Sequence, residues 1–589
     1  CSGRYDPVLL KFPECAIGLL MKKQWITARV DPKTIHALAQ ELGCSPVLAT
    51  LLHNRGLNAE TAGKFLHPSL SQLSSPHCLK DMDIAVKRIA RAIFEQESIM
   101  VFGDYDVDGI SATVLLFEFL KACNARTSYH IPHRIEEGYG LKSDHVLQWA
   151  GENPLDLIIT VDCGSASHEA VQTARSLGVD VIITDHHDPD ETLPDALAVI
   201  NPKRRDDPSH LEHLAGVGVA FYLLACLRSY LRKSDFWADA AEPNLKDGCD
   251  LVALGTIADV VPMIRENRIL TRAGLEVIGA GNRPGVQALL ESCAVKTHPE
   301  AGDVAFRMAP RLNAAGRIAH AKTAAELLQA RDLQAARMTA AVLDHLNIER
   351  RQIERKVFDD ILGRLENKPA LMGAFSLVLE GSDWHPGVIG IVAARLAEHF
   401  TRPVVLIVSG SSPARGSGRS VAGIDLRRVL SECRQDLATF GGHRQAAGLA
   451  IDGSKIDRFR IHFDRAVQQA AAPGSFLPTG RIDCELKFQA ICDQLLNDLE
   501  QLQPFGPENP EPIFAAKNVK VVSSRIVGRT HRRMALLQAS DSGGQVIDAV
   551  DFHIDPGVPA PAGFEQLVFR LQRNRWNGRC SPQIILEKT

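Results

Sequence analysis

The chain has 589 residues, 45% of them hydrophobic and 23% charged, an ordinary globular composition and a length too great for one core, so roughly two to four domains are expected. Its formal net charge of −4 excludes nucleic-acid binding through bulk basicity, although carboxylates of a metal site can mask local basic clusters in such a sum. No apolar run approaches the roughly 20 residues of a membrane span, and 13 cysteines without a C-x-x-C pair read as reduced, buried thiols of a cytoplasmic protein.

In chain order, the first 20 residues carry no basic stretch followed by an apolar core and a cleavage site, so they do not read as a signal peptide. Met21, opening "MKKQW", reads as a natural start and residues 1–20 as an extension. A helical segment is expected up to residue 80. From 81 to 321, short β-branched runs ("SIMVFG", "LDLIITVDCG", "VDVIITDHH", "ALAVINP") alternate with helical patterns, which predicts a parallel sheet covered on both faces. Functional residues of such sheets collect beyond the carboxyl ends of the strands. Here Asp104, Asp106 and Asp108 follow the first run, Asp162 the second, and Asp185, His186 and His187 the third.

Residues 322–368 lack Gly and Pro until Gly363 and are rich in Ala, Leu, Arg and Glu, which predicts one or more long linking helices. "FSLVLEG" and "RPVVLIVSG" restart an α/β pattern over 369–472, and "AAPGSFLPTG" marks the next boundary. Short strand-like pieces over 473–589 suggest a small antiparallel barrel. Residues 515–589 hold 11 Lys and Arg against 6 Asp and Glu, with Trp576 inside "RNRWNGR". That balance fits either a solvated face or a track for single strands.

Three carboxylates within "DYDVDG" repel, and a folded chain holds them together cheaply only around a cation. The calcium helix-loop-helix pattern matches these six positions, but the Glu needed at loop position twelve would fall on Leu115. Aspartates joined by histidines offer mixed oxygen and nitrogen ligation, which suits manganese or another transition ion. Asp259, in "GTIADVVP", alone would read as a helix cap; within the set it could complete a two-ion cluster.

"VFGDYDVDGI", "VDCG", "TDHH" and "GTIADVVP", in that order, resemble the four motifs of the DHH phosphoesterase superfamily. From about Met21 onward the chain is similar to that superfamily's single-strand-specific DNA exonucleases, with further matching stretches at "PRLNAAGR", "RGSGRS", "GGHRQAAG" and "QPFGPENPEP". The resemblance implies an α/β multidomain fold: a parallel-sheet DHH domain, a linking helix, a second α/β domain of DHHA1 type, and an OB-like barrel. It implies that Asp104, Asp106, Asp108, Asp162, His186 and Asp259 hold two divalent ions, Mn2+ preferred or Mg2+, with Asp162 bridging. His187 would lie beside the scissile phosphate and Asp185 would orient the histidine pair. Arg311, Asn313, Arg415, Ser417, Arg419 and His443 would contact the strand, with "RGSGRS" acting as a flexible phosphate-binding stretch.

The implied activity is 5′ to 3′ hydrolysis of single-stranded DNA to 5′-mononucleotides in repair and recombination. A narrow passage between lobes is expected to admit one strand and exclude a duplex. A helicase and a single-strand-binding protein are the partners implied, and a monomer is expected. The alternatives are another phosphodiesterase of the superfamily, acting on oligonucleotides or cyclic dinucleotides, or an inactive scaffold. The basic barrel and the complete ligand set weigh against them. Ser165 and Glu508 depart from the family pattern, an aliphatic residue and Gly being usual there, and leave local loop geometry open.

Overall fold

The computed structural model describes residues 23–588 apart from 240, 296–297, 473, 529, 539–543 and 577–578. The extension read at residues 1–20 lies outside the described residues, as does the side chain of Trp576. Among the described residues the chain forms two compact units: 25–347 with 481–588, and 348–480 with 23–24.

The first unit is built on a five-stranded sheet. Its elements are β1 (Ile99–Gly103), α1 (Val107–Ala122), β2 (Thr127–His130), α2 (Ser143–Glu152), β3 (Leu157–Val161), β4 (Asp180–Thr184) and β5 (Ala198–Ile200), then α3 (Gly216–Lys233), α4 (Cys249–Ala258) and α5 (Arg265–Ala280). The strand order is β2-β1-β3-β4-β5 and every pairing is parallel. The runs predicted as strands are buried on both faces, β3 at all five positions, because helices cover the sheet on either side. Register fixes the site: Gly103 sits opposite Val161 and Val161 opposite Thr184. The next residues, Asp104, Asp162 and Asp185, therefore leave one edge side by side, about 4.8 Å per strand apart.

α6 (Ala309–Ile318) follows, and α7 (Leu333–Asn367) runs from the first unit into the second. The helical stretch from 322 is broken before α7, where Ala330 turns extended and Asp332 accepts a hydrogen bond from the Ala335 amide at 2.7 Å.

The second unit carries β6 (Leu377–Gly381), α8 (Ile389–Phe400), β7 (Val404–Val408), β8 (Ala414–Arg419), β9 (Leu437–Gly442) and β10 (Ala446–Ile451), in the order β9-β10-β8-β7-β6. "RGSGRS", expected to be a flexible stretch, is instead almost entirely β8, a central strand paired antiparallel with β7 and β10. Its glycines face packed side chains: a Cβ at Gly416 would lie 2.7 Å from Leu449. Alternation then puts Arg415, Ser417 and Arg419 together on the opposite face.

The C-terminal strands β11 (Phe514–Val527), β12 (His531–Gln538), β13 (Gln545–Asp551), β14 (Gly563–Trp576) and β15 (Arg579–Leu586) run in the order β11-β12-β13-β15-β14, and β11 pairs again with β14 to close a barrel. Its core is shared with the N-terminal helical segment: Leu48, Leu51, Leu52 and Ala62 pack with Phe514, Leu536 and Phe569. Arg268 of α5, which is 2% exposed, ties that helix to the N-terminal helical segment and to the stretch that precedes the barrel. Its guanidinium donates to the carbonyls of Phe65, Gln501, Leu502 and Pro504 and lies 3.9 Å over the Phe65 ring. Glu508, the other departure point, adopts a φ of 60°, a backbone state that glycine adopts most readily.

Candidate metal centre

The acidic set converges at the carboxyl edge of the sheet. Asp106 caps α1, its Oδ1 accepting from the amides of Asp108 (3.0 Å) and Gly109 (3.1 Å), which turns Asp108 inward. Asp108 is 1% exposed and lies at the start of α3, where Oδ2 accepts from the Gly216 amide at 2.7 Å and Oδ1 from Val217 at 2.9 Å. Asp162 follows β3 with a φ of 61°, an uncommon backbone state that turns the carboxylate back over the sheet edge. Asp259 ends α4, which packs against α1.

Ligand atoms of Asp104, Asp106 and Asp162 lie within 4.8 Å of one another, as do those of Asp108, His186 and Asp259, and those of Asp162, His186 and His187. His186 Nε2 is 3.1 Å from Asp162 Oδ1, 3.5 Å from Asp259 Oδ2 and 3.8 Å from Asp108 Oδ2. Two three-residue groups thus meet around Asp162 and His186.

The electrostatics favour a cation. Burial first, and neighbouring carboxylates second, push Asp104, Asp162 and Asp259 well above the usual carboxylate range and Asp108 up to about 7. Asp104 Oδ1 and Asp162 Oδ1 are buried without a hydrogen bond. Orphaned oxygens of this kind cost free energy unless something positive meets them, so the donor set fits divalent ions.

Asp185 behaves differently. Burial raises its pKa, but the hydrogen bond and charge of His187 and the charge of His186 outweigh it, and Asp185 stays well below the usual range. Its Oδ1 accepts from the His186 and His187 amides and lies 2.8 Å from His187 Nδ1. Its Oδ2 accepts from the Ser165 amide at 2.9 Å, while Ser165 Oγ accepts from Asn201, which also bonds the His187 carbonyl. Serine at this departure point therefore belongs to the support of the histidine pair. For His187, burial lowers the pKa, but the bond to Asp185 and the charges of Asp185, Asp259 and Asp104 raise it to about 9.

Other expected residues lie elsewhere. Arg311, in α6, donates to Asp344 at 2.8 Å and to the Arg307 carbonyl at 2.7 Å, and Asn313 is half-buried. Arg415, Ser417, Arg419 and His443 belong to the second unit. Arg419 donates to Ser417 Oγ at 3.1 Å near the start of α8, and His443 sits in the β9–β10 turn, its amide bonding the Ala446 carbonyl.

Residue-type spacing did not single out Tyr139, whose hydroxyl is 3.1 Å from His187 Nδ1. It also missed Gly216 and Gly255. A Cβ on them would lie 2.4 Å from Asp162 Oδ1 and 2.6 Å from Asp108 Oδ1, so both glycines give a carboxylate its room.

A family model described as DHH family, N-terminal domain, matches residues 98–256; a DHHA1 domain matches 373–469 and a RecJ OB domain matches 482–588. The chain is 37% identical over 559 residues to the single-stranded-DNA-specific exonuclease RecJ of Salmonella typhimurium, covering 92% of this chain and 95% of that one. It is 36% identical over 585 residues to the RecJ of Escherichia coli, covering 96% and 99%. A crystal structure of RecJ in complex with Mn2+ from Thermus thermophilus superimposes with a TM-score of 0.80 at 29% identity, over 96% of this chain and 79% of that one. The sequence motifs, the edge of converging carboxylates and these likenesses agree: the chain belongs to the RecJ family of single-stranded-DNA-specific exonucleases in the DHH superfamily.

Proposed function

We propose that this chain hydrolyses single-stranded DNA from the 5′ end, releasing 5′-mononucleotides, with two divalent ions, Mn2+ or Mg2+. The observation that carries it is the pair of ligand groups meeting at Asp162 and His186. Asp104, Asp106 and Asp162 would hold one ion and Asp108, His186 and Asp259 the other, with Asp162 offering an oxygen to each. Bound there, two such ions supply activation of a water and stabilisation of the entering and leaving oxygens at phosphorus.

The chain's own residues prepare that reaction. Asp185 holds the His187 ring by Nδ1, so Nε2 is the nitrogen to meet a phosphate oxygen. Asp108, gripped by the amides of α3, fixes its carboxylate before any ion arrives. Arg415, Ser417, Arg419, His443, Arg311 and Asn313 are assigned to the strand. Domain divisions of 81–321, 369–472 and 473–589 are supported by matched ranges that fall inside them, and 322–368 is assigned to the linking helix between two of these.

No single helix among the described residues is long and apolar enough to cross a membrane. A cytoplasmic location, a monomeric state, and work beside a helicase and a single-strand-binding protein in repair and recombination complete the proposal.

The test is an assay on a single strand labelled at either end, without metal and then with Mn2+. Loss of a 5′ label as mononucleotide, only with metal, is expected; early loss of a 3′ label contradicts the direction. Asp162→Ala should abolish cleavage while the protein still folds and binds DNA, and retained turnover would refute the shared-ligand role.

A further inference from the structure

The loop between β2 and α2, residues 131–142, leaves the carboxyl edge of the sheet and reaches the catalytic histidine, and its internal bonding is specific. Glu137 lies at its centre. Its Oε1 accepts from the His133 amide at 2.6 Å, and its Oε2 lies 2.8 Å from His130 Nε2 and 3.0 Å from His145 Nε2. The Glu137 amide returns to the His133 carbonyl at 2.8 Å, and the Glu137 carbonyl accepts from Lys142 Nζ. His130 ends β2 and His145 opens α2, so one carboxylate staples both flanking elements to the loop. The two imidazoles pack against Phe102 and Trp149 at centroid distances of 5.3–5.8 Å.

Two histidine nitrogens and a carboxylate within 4.8 Å also have the make-up of a zinc site, but one hydrogen bond decides against it. The Lys142 amide donates to His145 Nδ1 at 3.2 Å, so that nitrogen carries a lone pair and the ring proton resides on Nε2. A zinc ligand has the opposite arrangement, metal on one nitrogen and a proton on the other. The cluster is therefore a clasp of N–H donors on one carboxylate. Burial and the neighbouring His130 lower the pKa of His145, in keeping with a neutral ring.

Two residues beyond Glu137 stands Tyr139, flanked by Gly138 (φ 79°) and Gly140 (φ 81°). These left-handed turns, open to glycine, swing the phenol toward the site. Its hydroxyl lies 3.1 Å from His187 Nδ1 and donates to the Asp162 carbonyl at 3.5 Å, with the two rings edge-to-face at 5.6 Å. The directions are consistent: His187 Nδ1–H is shared between Asp185 Oδ1 and the Tyr139 oxygen, and the Tyr139 proton goes on to the backbone of Asp162.

We propose that Tyr139 is a positioning residue of the reaction, holding the His187 imidazole through its hydroxyl, and that the His130–Glu137–His145 clasp delivers it. This rests on the nuclease reading of the same site. Asp185 and Tyr139 meet the same ring nitrogen from two different elements, and Tyr139 ties it to the chain at Asp162.

Tyr139→Phe, Glu137→Gln and the double variant are compared with wild type on a single strand at saturating Mn2+. Each single variant should lower kcat about tenfold with KM unchanged, and Tyr139→Phe should melt at the wild-type temperature. The double variant should be no slower than the slower single one, as expected of residues acting through one contact. A raised KM with kcat unchanged, or losses that multiply in the double variant, would overturn the proposal. Tyr139→Phe removes one oxygen from an exposed residue, so its folding is secure if Glu137→Gln proves unstable.

A second readout needs no turnover. In metal-free protein labelled with 15N-histidine, the His187 Nδ1–H resonance should move in both single variants. Unmoved resonances refute the contact. Moved resonances in a wild-type protein that cuts no strand would uphold the contact and sink the nuclease reading instead. Stoichiometric zinc in wild type, lost in Glu137→Gln, would also overturn the clasp.

Discussion

At the scale of single residues, the site depends on atoms that are absent as well as on those present. Asp162 bends back over the sheet edge and its carboxylate occupies the volume where a Cβ on Gly216 would sit, 2.4 Å from Oδ1 and 2.7 Å from Cγ. A methyl group there forces the carboxylate aside, and a carboxylate displaced by about 1 Å would no longer serve the two ions proposed for it. Gly216→Ala should therefore weaken Mn2+ binding by about 10- to 100-fold, read by titration calorimetry. The same substitution should cost about 1–3 kcal/mol from overpacking. Wild-type affinity in this variant would show that Asp162 has another place to go. These glycines carry no sequence signal of their own, because "AGVGVA" reads as an apolar helix start, whereas the aspartates announce themselves by crowding.

At the scale of elements, α5 ties distant parts of the first unit together through its N-terminal turn. In its first turn, Glu266 is bonded by Ser74 Oγ and lies 2.7 Å from His213 Nε2. Burial raises its pKa, but these bonds outweigh burial and pull it from 4.5 down to about 2. A carboxylate with a folded pKa below its unfolded one stabilises the fold above the unfolded value and loses that contribution as pH falls through the folded value. The melting temperature of wild type should thus fall as pH drops from about 4.5 toward 2 more steeply than that of Glu266→Gln; equal slopes would remove Glu266 from the acid response.

Two residues on, burial first and then Arg272 and Arg55 disfavour the charge of Arg268, which among the described residues is answered by carbonyl oxygens. Arg268→Ala strands those carbonyls and should destabilise the unit by about 3 kcal/mol, measured by urea unfolding. A loss below about 1 kcal/mol would mean that the stretch preceding the barrel docks without it. Neither residue was legible in the sequence, since an Arg or Glu on a polar helix is usually solvated.

At the scale of the whole molecule, Asp104, Asp162 and Asp185 meet because parallel strands in register stop together, and Asp108 and Asp259 join them from the packed helices α1 and α4. That much was readable: β-branched runs ending in aspartate predict both the sheet and its chemical edge. The barrel was readable from its short strands, but not its sharing of a core with Leu48, Leu51 and Leu52, because short apolar helices give no hint of which distant surface they cover. "RGSGRS" invited a flexible reading because glycine usually marks turns; as β8 it uses glycine to fit under Leu449. Tyr139 lay in a glycine turn with no spacing to mark it.

The central claim is that carboxylates and an imidazole from four separate stretches form one cage for two ions. It is tested most directly by anomalous diffraction from crystals soaked in Mn2+. Two peaks are expected, one among Asp104, Asp106 and Asp162 and one among Asp108, His186 and Asp259, with Asp162 reaching both. No peak at that edge, or a single ion that leaves Asp108 and Asp259 untouched, would contradict it.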